Sequence, residues 1–439
     1  MNAPAERKDC AAVYAQLLET VYPASQAPLA PVLTREELTE LWMEARWGQS
    51  GTTLHHGELR LIDLGVPNTA ADGPAILRAE IECGGQRLRG DIALHTRAED
   101  WEAEGCGASA AYGNTVLHFV LQAPPATWYT RTAAHRDVPM WVAPAARLRA
   151  VFGCARLYPA KEGASQQLCQ LSAERLETLL RAAAAYRAEQ KAAFFEQKAA
   201  VIGEEQAWFE AWAEVLGYAA NKRAMRALAR RAPLSALQGG DSEAILLGTA
   251  GFLQALLPER TTEEARAYHR GVWSVWWQLR EHFVPEGTPS LPWCLSPVRP
   301  MNHPARRVAA LALSAQRWES LRPLMNAAGA MRLTDALCAL SHPFWDTHCT
   351  LAAAPLRRRC ALVGKSRAAD FLANVVYPSD RSAASWATYL NLRAAEVPAR
   401  FLRLAERLFG QRPELPSLLR LHHVQQALLQ LSGDFARTP

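Results

Sequence analysis

The 439-residue sequence has no run of apolar residues long enough to cross a membrane, because a spanning helix needs about 20 of them in succession. Its first thirty residues also lack an uninterrupted apolar stretch of the length that a secretory signal peptide uses. These two absences predict a soluble, cytoplasmic protein that does not associate with membranes.

Cysteine is sparse, and its spacing excludes two common uses. The nine cysteines are odd in number, scattered, and never spaced as CxxC. This distribution argues against a disulfide framework and against a zinc ribbon, and it predicts reduced thiols. The adjacent pairs His55-His56 and His422-His423 lack the spacing of two ligands on one helix face, so no metal site is predicted there.

The familiar catalytic motifs are missing as well. No GxSxG motif and no GxGxxG motif after a strand is present, which leaves the common hydrolase and dehydrogenase classes without support. Gly364-Lys365-Ser366 is not a phosphate-binding P-loop, because the required earlier glycine is absent.

The composition that remains is that of a globular protein, with 49% hydrophobic and 21% charged residues. Charge is unevenly spread, since residues 1–160 carry 14 Lys and Arg against 18 Asp and Glu, and the remaining residues carry 34 against 25. The basic second part permits an anionic partner such as nucleic acid, although solvated surface is the commoner explanation. A basic stripe is expected on one helix: Lys222, Arg223, Arg226, Arg230 and Arg231.

Local patterns predict an α+β protein with two domains. Thr34 to Trp47 has a capping box and one apolar face, typical of a helix. Residues 75–95 form two alternating runs joined by Gly84-Gly85, which predicts a hairpin, and Thr115 to Gln122 is apolar enough for a central strand.

From about Leu171 the sequence takes on helical periodicity, and one of the helices that it predicts covers 242–257. We therefore predict a mixed α/β domain with a central sheet over 30–160 and a mostly α-helical domain over 165–439. Trp273, Trp276 and Trp277 lie at helical spacing and are expected in the core rather than on a base-stacking surface.

Several words in a fixed order carry a family resemblance over most of the chain. In the first part they are Asn68, Gly73-Pro74, the run Gly90 to His95, Asp100-Trp101, and Tyr112 to His118; in the second part they are Leu247 to Leu253, Arg299 to Arg307, Trp345 to His348, Gly364 to Ser366, and Gln426 to Gln430. With these words the chain resembles a bacterial family of uncharacterised proteins, the domain of unknown function 2851.

The resemblance implies a fold similar to that of the PD-(D/E)xK nucleases. Members of the family read roughly GPDF on the first hairpin strand and G-x-V-E-I-H on the second, and in such nucleases an aspartate and a glutamate on neighbouring strands hold Mg²⁺. Here those two positions are Ala75 and Ala93, while the histidine is present as His95. Alanine has no atom that can bind a metal, so no cofactor is predicted.

The resemblance therefore implies a catalytically degenerate, nuclease-like protein that binds or scaffolds a nucleic acid or another protein. The first alternative is a Mg²⁺-dependent nuclease in which displaced groups rebuild the site, with Asp72, Glu80, Asp91 and His95 as candidates. The second is a structural protein-interaction module. Predicted binding residues are the polar and aromatic members of the shared words: Asp100, Trp101, His118, Arg299, Asn302, Trp345, Asp346, His348, Lys365 and Ser366.

Overall fold

The structure is a computed structural model that describes residues 3–23, 26, 28–70, 72–159, 168–394 and 396–436. It confirms the α+β class, with a sheet in the first part of the chain and helices in the rest. The chain divides into two compact units, residues 1–202 with 396–439 and residues 203–395. No helix in the described residues is long and apolar enough to cross a membrane.

The main sheet of the first unit has six strands along one path and a short strand at its side. These strands are β1 (Ser50–Thr52), β2 (Glu58–Asp63), β3 (Val66–Pro67), β4 (Ile76–Cys83), β5 (Gln86–Arg97), β6 (Thr115–Gln122) and β9 (Met140–Val142). Their order is β1-β2-β4-β5-β6-β9, with β3 paired to β4, and only the β5-β6 and β6-β9 pairs are parallel. The strands β7 (Thr130–Arg131) and β8 (Asp137–Val138) form a separate pair.

The β4-β5 hairpin is confirmed, and its turn explains why two glycines stand there. Gly84 and Gly85 have φ angles of 55° and 79°, which glycine adopts without the steric cost of a Cβ. Ile76 pairs with Ile92, and the register shifts before Ala79 pairs with Gly90. β6 also has its predicted bounds, and all but one of its residues are buried, as expected for a central strand.

Nine helices in the described part of the first unit surround or follow the sheet. They are α1 (Ala3–Val21), α2 (Arg35–Met43), α3 (Asp100–Ala103), α4 (Ala145–Phe152), α5 (Cys154–Leu157), α6 (Ala173–Ile202), α17 (Ala399–Phe409), α18 (Leu415–Leu418) and α19 (His422–Phe435). The capping box of α2 is confirmed: Thr34 Oγ1 accepts from the backbone N–H of Glu37, whose carboxylate accepts from the N–H of Thr34.

The chain ends of the first unit meet around one buried carboxylate. Asp434 on α19 accepts hydrogen bonds from the hydroxyl of Tyr14 on α1 and from the backbone N–H of Cys154 on α5. Burial raises the pKa of Asp434, and these donors only partly oppose the rise. The predicted boundary at 160–165 follows the change from strand to helix. The compact units divide at 202 and 396, and α6 packs against both α1 and α19 within the first unit.

The second unit is helical in its described residues. Its helices are α7 (Glu204–Leu216), α8 (Tyr218–Arg231), α9 (Ser242–Thr249), α10 (Glu263–Phe283), α11 (Pro304–Gln316), α12 (Trp318–Leu321), α13 (Ala330–Cys338), α14 (Lys365–Phe371), α15 (Tyr377–Ser379) and α16 (Ala383–Asn391). α9 is shorter than the predicted 242–257, because the chain leaves the helix at Gly251, whose φ is 77°.

Candidate functional site

A pocket of about 250 Å³ lies in the first unit, at the end of β5. β5 supplies Ala93, His95 and Arg97 to its wall, because side chains two residues apart on a strand share a face. The other lining residues come from the segment before α2, from α2 itself, from the start of β4 and from the β5-β6 crossover: Val32, Leu33, Arg35, Leu38, Ala75, Asp100, Glu104 and Tyr112, with Leu94 and Thr96 from β5.

Both alanines that replace the expected carboxylates lie in this wall. Ala75 is 4% exposed and Ala93 is 1% exposed. Ile76 and Ile92 form the last pair of the hairpin on this side, and Ala75 and Ala93 are their next neighbours along the two strands. The structure thus brings positions 75, 93 and 95 to one pocket.

A chain of three buried polar side chains begins at the pocket and runs inward. His95 Nδ1 is 2.9 Å from Nε2 of His118, and His118 Nδ1 is 2.8 Å from the hydroxyl oxygen of Thr130. His118 is completely buried and lies against the ring of Trp101, with ring centres 5.1 Å apart. β5 and β6 pair in parallel, with His118 opposite Ala93. His95 follows Ala93 by two residues and shares its face of the sheet, so the two histidines lie together.

Burial determines the charge state of both rings. It lowers the pKa of His95, and the nearby carboxylates of Glu104 and Asp100 oppose this only in part. Burial and the neighbouring His95 hold the pKa of His118 well below its usual range. Both imidazoles are therefore neutral at pH 7, and each has one nitrogen with a free lone pair.

At its other nitrogen His95 faces two groups from the crossover. His95 Nε2 is 3.5 Å from a carboxylate oxygen of Glu104 and 3.9 Å from Sγ of Cys106. Cys106 is buried, which raises the pKa of its thiol, whereas the side chain of Glu104 is 61% exposed. Among the described residues, His95, Glu104 and Cys106 are the group of metal-binding side chains that lie within 4.8 Å of one another.

The displaced carboxylates of the nuclease alternative do not gather at the pocket. Glu80 pairs in register with Arg89, six residues before His95, so about 20 Å of strand separates them. Its two oxygens bind Arg87 and Arg89. Ligands of one Mg²⁺ must lie within about 5 Å of one another, so Glu80 and His95 cannot share an ion.

Asp72 and Asp91 likewise accept hydrogen bonds from other groups. Asp72 is exposed and accepts from the N–H of Gly73, and Asp91 accepts from the N–H of Arg78 and from the side chain of Asn114. Asp91 precedes His95 by four residues, about 13 Å along a strand. The structure therefore does not bring Asp72, Glu80, Asp91 and His95 to one point.

Asp100 and Trp101 do lie at the pocket region, with different roles. Asp100 lines the pocket and binds the backbone N–H and the guanidinium of Arg97. Trp101 is completely buried, and its indole N–H donates to the carbonyl of Arg131. It packs with Ala93, Cys106 and Tyr112 as the core beneath the pocket.

The remaining predicted binding residues lie in the second unit, where several of them hold a turn. Asp346 accepts from the hydroxyl of Ser341, the N–H of His342 and the guanidinium of Arg359. His348 is buried, stacks on Phe344 with ring centres 4.0 Å apart, and binds its carbonyl.

Trp345 belongs to a partly buried polar cage that no sequence motif indicates. Its indole N–H is 3.0 Å from a carboxylate oxygen of Glu243, which also accepts the hydroxyl of Tyr268. His342 Nδ1 accepts two backbone N–H groups, so its proton lies on Nε2, 3.4 Å from Glu243. Burial alone would raise the pKa of Glu243, but the hydrogen bonds from His342, Tyr268 and Trp345 lower it.

Four predicted residues lie nearer the surface of the second unit. Arg299, Lys365 and Ser366 are exposed, and Asn302 accepts the hydroxyl of Tyr218.

The expected basic stripe on α8 is partly neutralised. Arg226 is buried and pairs with Glu214, and Arg230 pairs with the buried Glu210. Only part of the stripe is thus presented to solvent, which weakens the attraction it would have for phosphate.

The three tryptophans of α10 are divided between core and surface. Trp276 is buried, as expected, but Trp277 is 51% exposed and stacks with Trp273. The guanidinium of Arg280 lies 3.7 Å from the centre of the Trp277 ring. The expectation of a core position therefore holds for Trp276 and is wrong for Trp277.

Sequence reasoning missed Glu104, Cys106, Arg35 and Tyr112 at the pocket. Glu104 and Cys106 follow His95 by nine and eleven residues, which is neither a helical nor a strand spacing of ligands. The folding of the crossover between two parallel strands brings them back to His95, and no local pattern encodes that return.

Comparisons with known proteins place the chain in a family without adding an activity. A family model described as "Protein of unknown function (DUF2851)" matches residues 36–396. Neither the curated proteins nor the solved structures gave a match. The likeness to the PD-(D/E)xK nuclease fold therefore stays a prediction.

Proposed function

Because the chain belongs to the DUF2851 family, whose function is unknown, we propose that it is a nuclease-like binding or scaffolding protein that does not cleave phosphodiesters with Mg²⁺. The observation that carries this proposal is the pair Ala75 and Ala93, buried side by side in the pocket that also contains His95. Two methyl groups stand where oxygen ligands would have to be, and Mg²⁺ binds oxygen.

The charges around the pocket support binding without strong attraction of a polyanion. Arg35 and Arg97 are matched by Asp100 and Glu104, and Arg97 is already bound to Asp100. A nucleic acid would therefore have to bind through the exposed basic residues outside the pocket. A protein partner is supported equally well. Binding of labelled DNA and RNA, measured by fluorescence anisotropy at two salt concentrations, separates these partners.

The proposal that the pocket lacks the ligands of a Mg²⁺ site is tested by introducing carboxylates at positions 75 and 93. In the double variant Ala75→Asp/Ala93→Glu, two carboxylates enter the pocket, so Mg²⁺ should bind and raise the melting temperature. At a concentration of 100 times the Kd, binding stabilises the fold by about 2.7 kcal/mol. The unaltered chain and the neutral control Ala75→Asn/Ala93→Gln should show no Mg²⁺-dependent rise. The single variant Ala93→Glu serves if the double variant does not fold.

Cleavage assays complete the test. The unaltered full chain should leave mixed DNA and RNA substrates intact in Mg²⁺ or Mn²⁺. Robust cleavage that Asp91→Ala abolishes would overturn the proposal and support the nuclease alternative.

A further inference from the structure

The geometry points to a transition-metal site at the rim of the same pocket: we propose that His95, Glu104 and Cys106 bind a borderline-soft divalent ion such as Zn²⁺. The inference rests on the proposed function in one respect, since both concern a pocket without its Mg²⁺ ligands. Its ligands are other residues and another chemistry, so each can fail alone.

The donor set selects this class of ion. A ring nitrogen, a carboxylate oxygen and a sulfur are the ligands that Zn²⁺ prefers, whereas Mg²⁺ takes oxygen in octahedral geometry. The thiol is buried within 4 Å of the imidazole, with 3.9 Å between Sγ of Cys106 and Nε2 of His95. Binding of an ion would release the thiol proton to solvent and convert this pair, which makes no strong hydrogen bond, into a thiolate and an imidazole that both coordinate the ion.

The distances lie close to those of a tetrahedral site. With bonds of 2.0–2.3 Å, the ligand atoms around Zn²⁺ stand about 3.3–3.6 Å apart. The observed separations from His95 Nε2 are 3.5 Å to Glu104 and 3.9 Å to Cys106, and all three ligand atoms lie within 4.8 Å of one another. Closing the set needs His95 Nε2 and Cys106 Sγ to approach by about 0.3 Å, and Glu104, whose side chain is 61% exposed, can follow by a change of rotamer.

The buried chain behind His95 provides the support that metal-binding histidines use. If His95 donates its Nδ1 proton to Nε2 of His118, and His118 donates its Nδ1 proton to Thr130, the lone pair of His95 Nε2 faces Glu104 and Cys106. Such an outer partner fixes both the tautomer and the ring orientation of a ligand. The reverse arrangement, in which His95 donates to Glu104, leaves no lone pair for an ion, and the two arrangements predict opposite results.

The fourth position of the ion would open to the pocket, because His95 and Glu104 both line it. Three protein ligands with one open position are typical of zinc sites that bind water or an exogenous ligand. The small side chains of Ala75 and Ala93 line the same pocket. They leave room beside the proposed ion that the carboxylates of a Mg²⁺ site would fill.

The test uses the full chain, stripped of metal and kept reduced, and titrated with Co²⁺ as a spectroscopic probe. A thiolate-to-cobalt charge-transfer band should appear at one equivalent and disappear when Zn²⁺ displaces the probe. Cys106→Ser should abolish the band, and Cys83→Ser, which alters another buried free thiol, should retain it. His118→Ala should weaken Zn²⁺ binding about 10–100-fold, as loss of an outer partner does.

Contrary results are equally defined. A band that survives Cys106→Ser, or Zn²⁺ affinity unchanged by both Cys106→Ser and Glu104→Gln, would overturn the inference; Glu104→Gln alters an exposed side chain and serves if the cysteine variant does not fold. Mg²⁺-dependent cleavage by the unaltered chain would overturn the proposed function and leave the cobalt band in place.

Discussion

The carboxylate of Glu243 shows how a single partly buried charge is stabilised by its donors. Three groups, on Tyr268, His342 and Trp345, surround it in the second unit. A buried carboxylate without such donors would be costly to ionise, and here the donors outweigh burial and lower its pKa. The cage therefore stabilises the fold only while Glu243 is ionised.

Glu243→Gln should destabilise the protein by about 1–3 kcal/mol at pH 7, because the amide cannot accept all three donors. The folded pKa lies below the unfolded value, so this contribution is present above the unfolded pKa, about 4.3, and is lost as the pH falls through the folded pKa. Urea unfolding at pH 7 and at pH 3.5 measures both. An equal loss at the two pH values would contradict the argument, and the exposed Glu264→Gln is the control.

At the residue scale, part of the candidate site was predictable and part was not. Ala93, His95, Asp100 and the neighbouring Trp101 lie in shared family words and Ala75 directly follows one, and the structure places all five in or under one pocket. The other groups that contact the two histidines come from separate segments of the chain. Glu104 and Cys106 lie in the crossover between β5 and β6, and Thr130 lies in β7.

At the scale of elements, local sequence determined the types of structure better than their ends. Gly84-Gly85 and the capping box at Thr34 encode their turn and helix start through contacts between near neighbours. The end of α9 was mispredicted, because apolar periodicity continues past the point where Gly251 turns the chain. The exposed position of Trp277 was also missed, since spacing alone does not say which face of a helix is covered.

The packing of α9 against α10 gives an opposing pair of predictions for two helical glycines. A Cβ at Gly248 would overlap the ring of Trp276, whereas nothing lies within 4 Å of a Cβ at Gly271. Gly248→Ala should therefore destabilise by about 1–3 kcal/mol through overpacking, although alanine favours helix. Gly271→Ala should stabilise by up to about 1 kcal/mol. Thermal and urea unfolding decide, and shifts of the same sign in both variants would refute the packing argument.

At the scale of the whole molecule, the first unit is assembled from segments far apart in sequence. Asp434 joins α19 to Tyr14 on α1 across 420 residues and to Cys154 across 280. The predicted domain ranges were based on composition along the chain, and composition cannot report that the last helices return to the first part.

Asp434→Ala should destabilise the first unit by about 2–5 kcal/mol, because it leaves buried donors of Tyr14 and Cys154 without an acceptor. Hydrogen exchange should then accelerate in α1 and α6 as well as in α19. Acceleration confined to α19 would contradict the coupling. Asp434→Asn should be milder, since its amide oxygen can still accept, and the advantage of the carboxyl should shrink as pH rises through its raised folded pKa.

The discontinuity of the first unit has a consequence for biosynthesis. Its sheet and long helix leave the ribosome early, but α17 to α19 emerge only after residues 203–395 have been translated. At roughly 5–20 residues per second, the nascent unit waits about 10–40 s for its closing helices. During that interval the face of α6 that α19 covers stays exposed, and the speed of translation across residues 203–395 sets how long it does so.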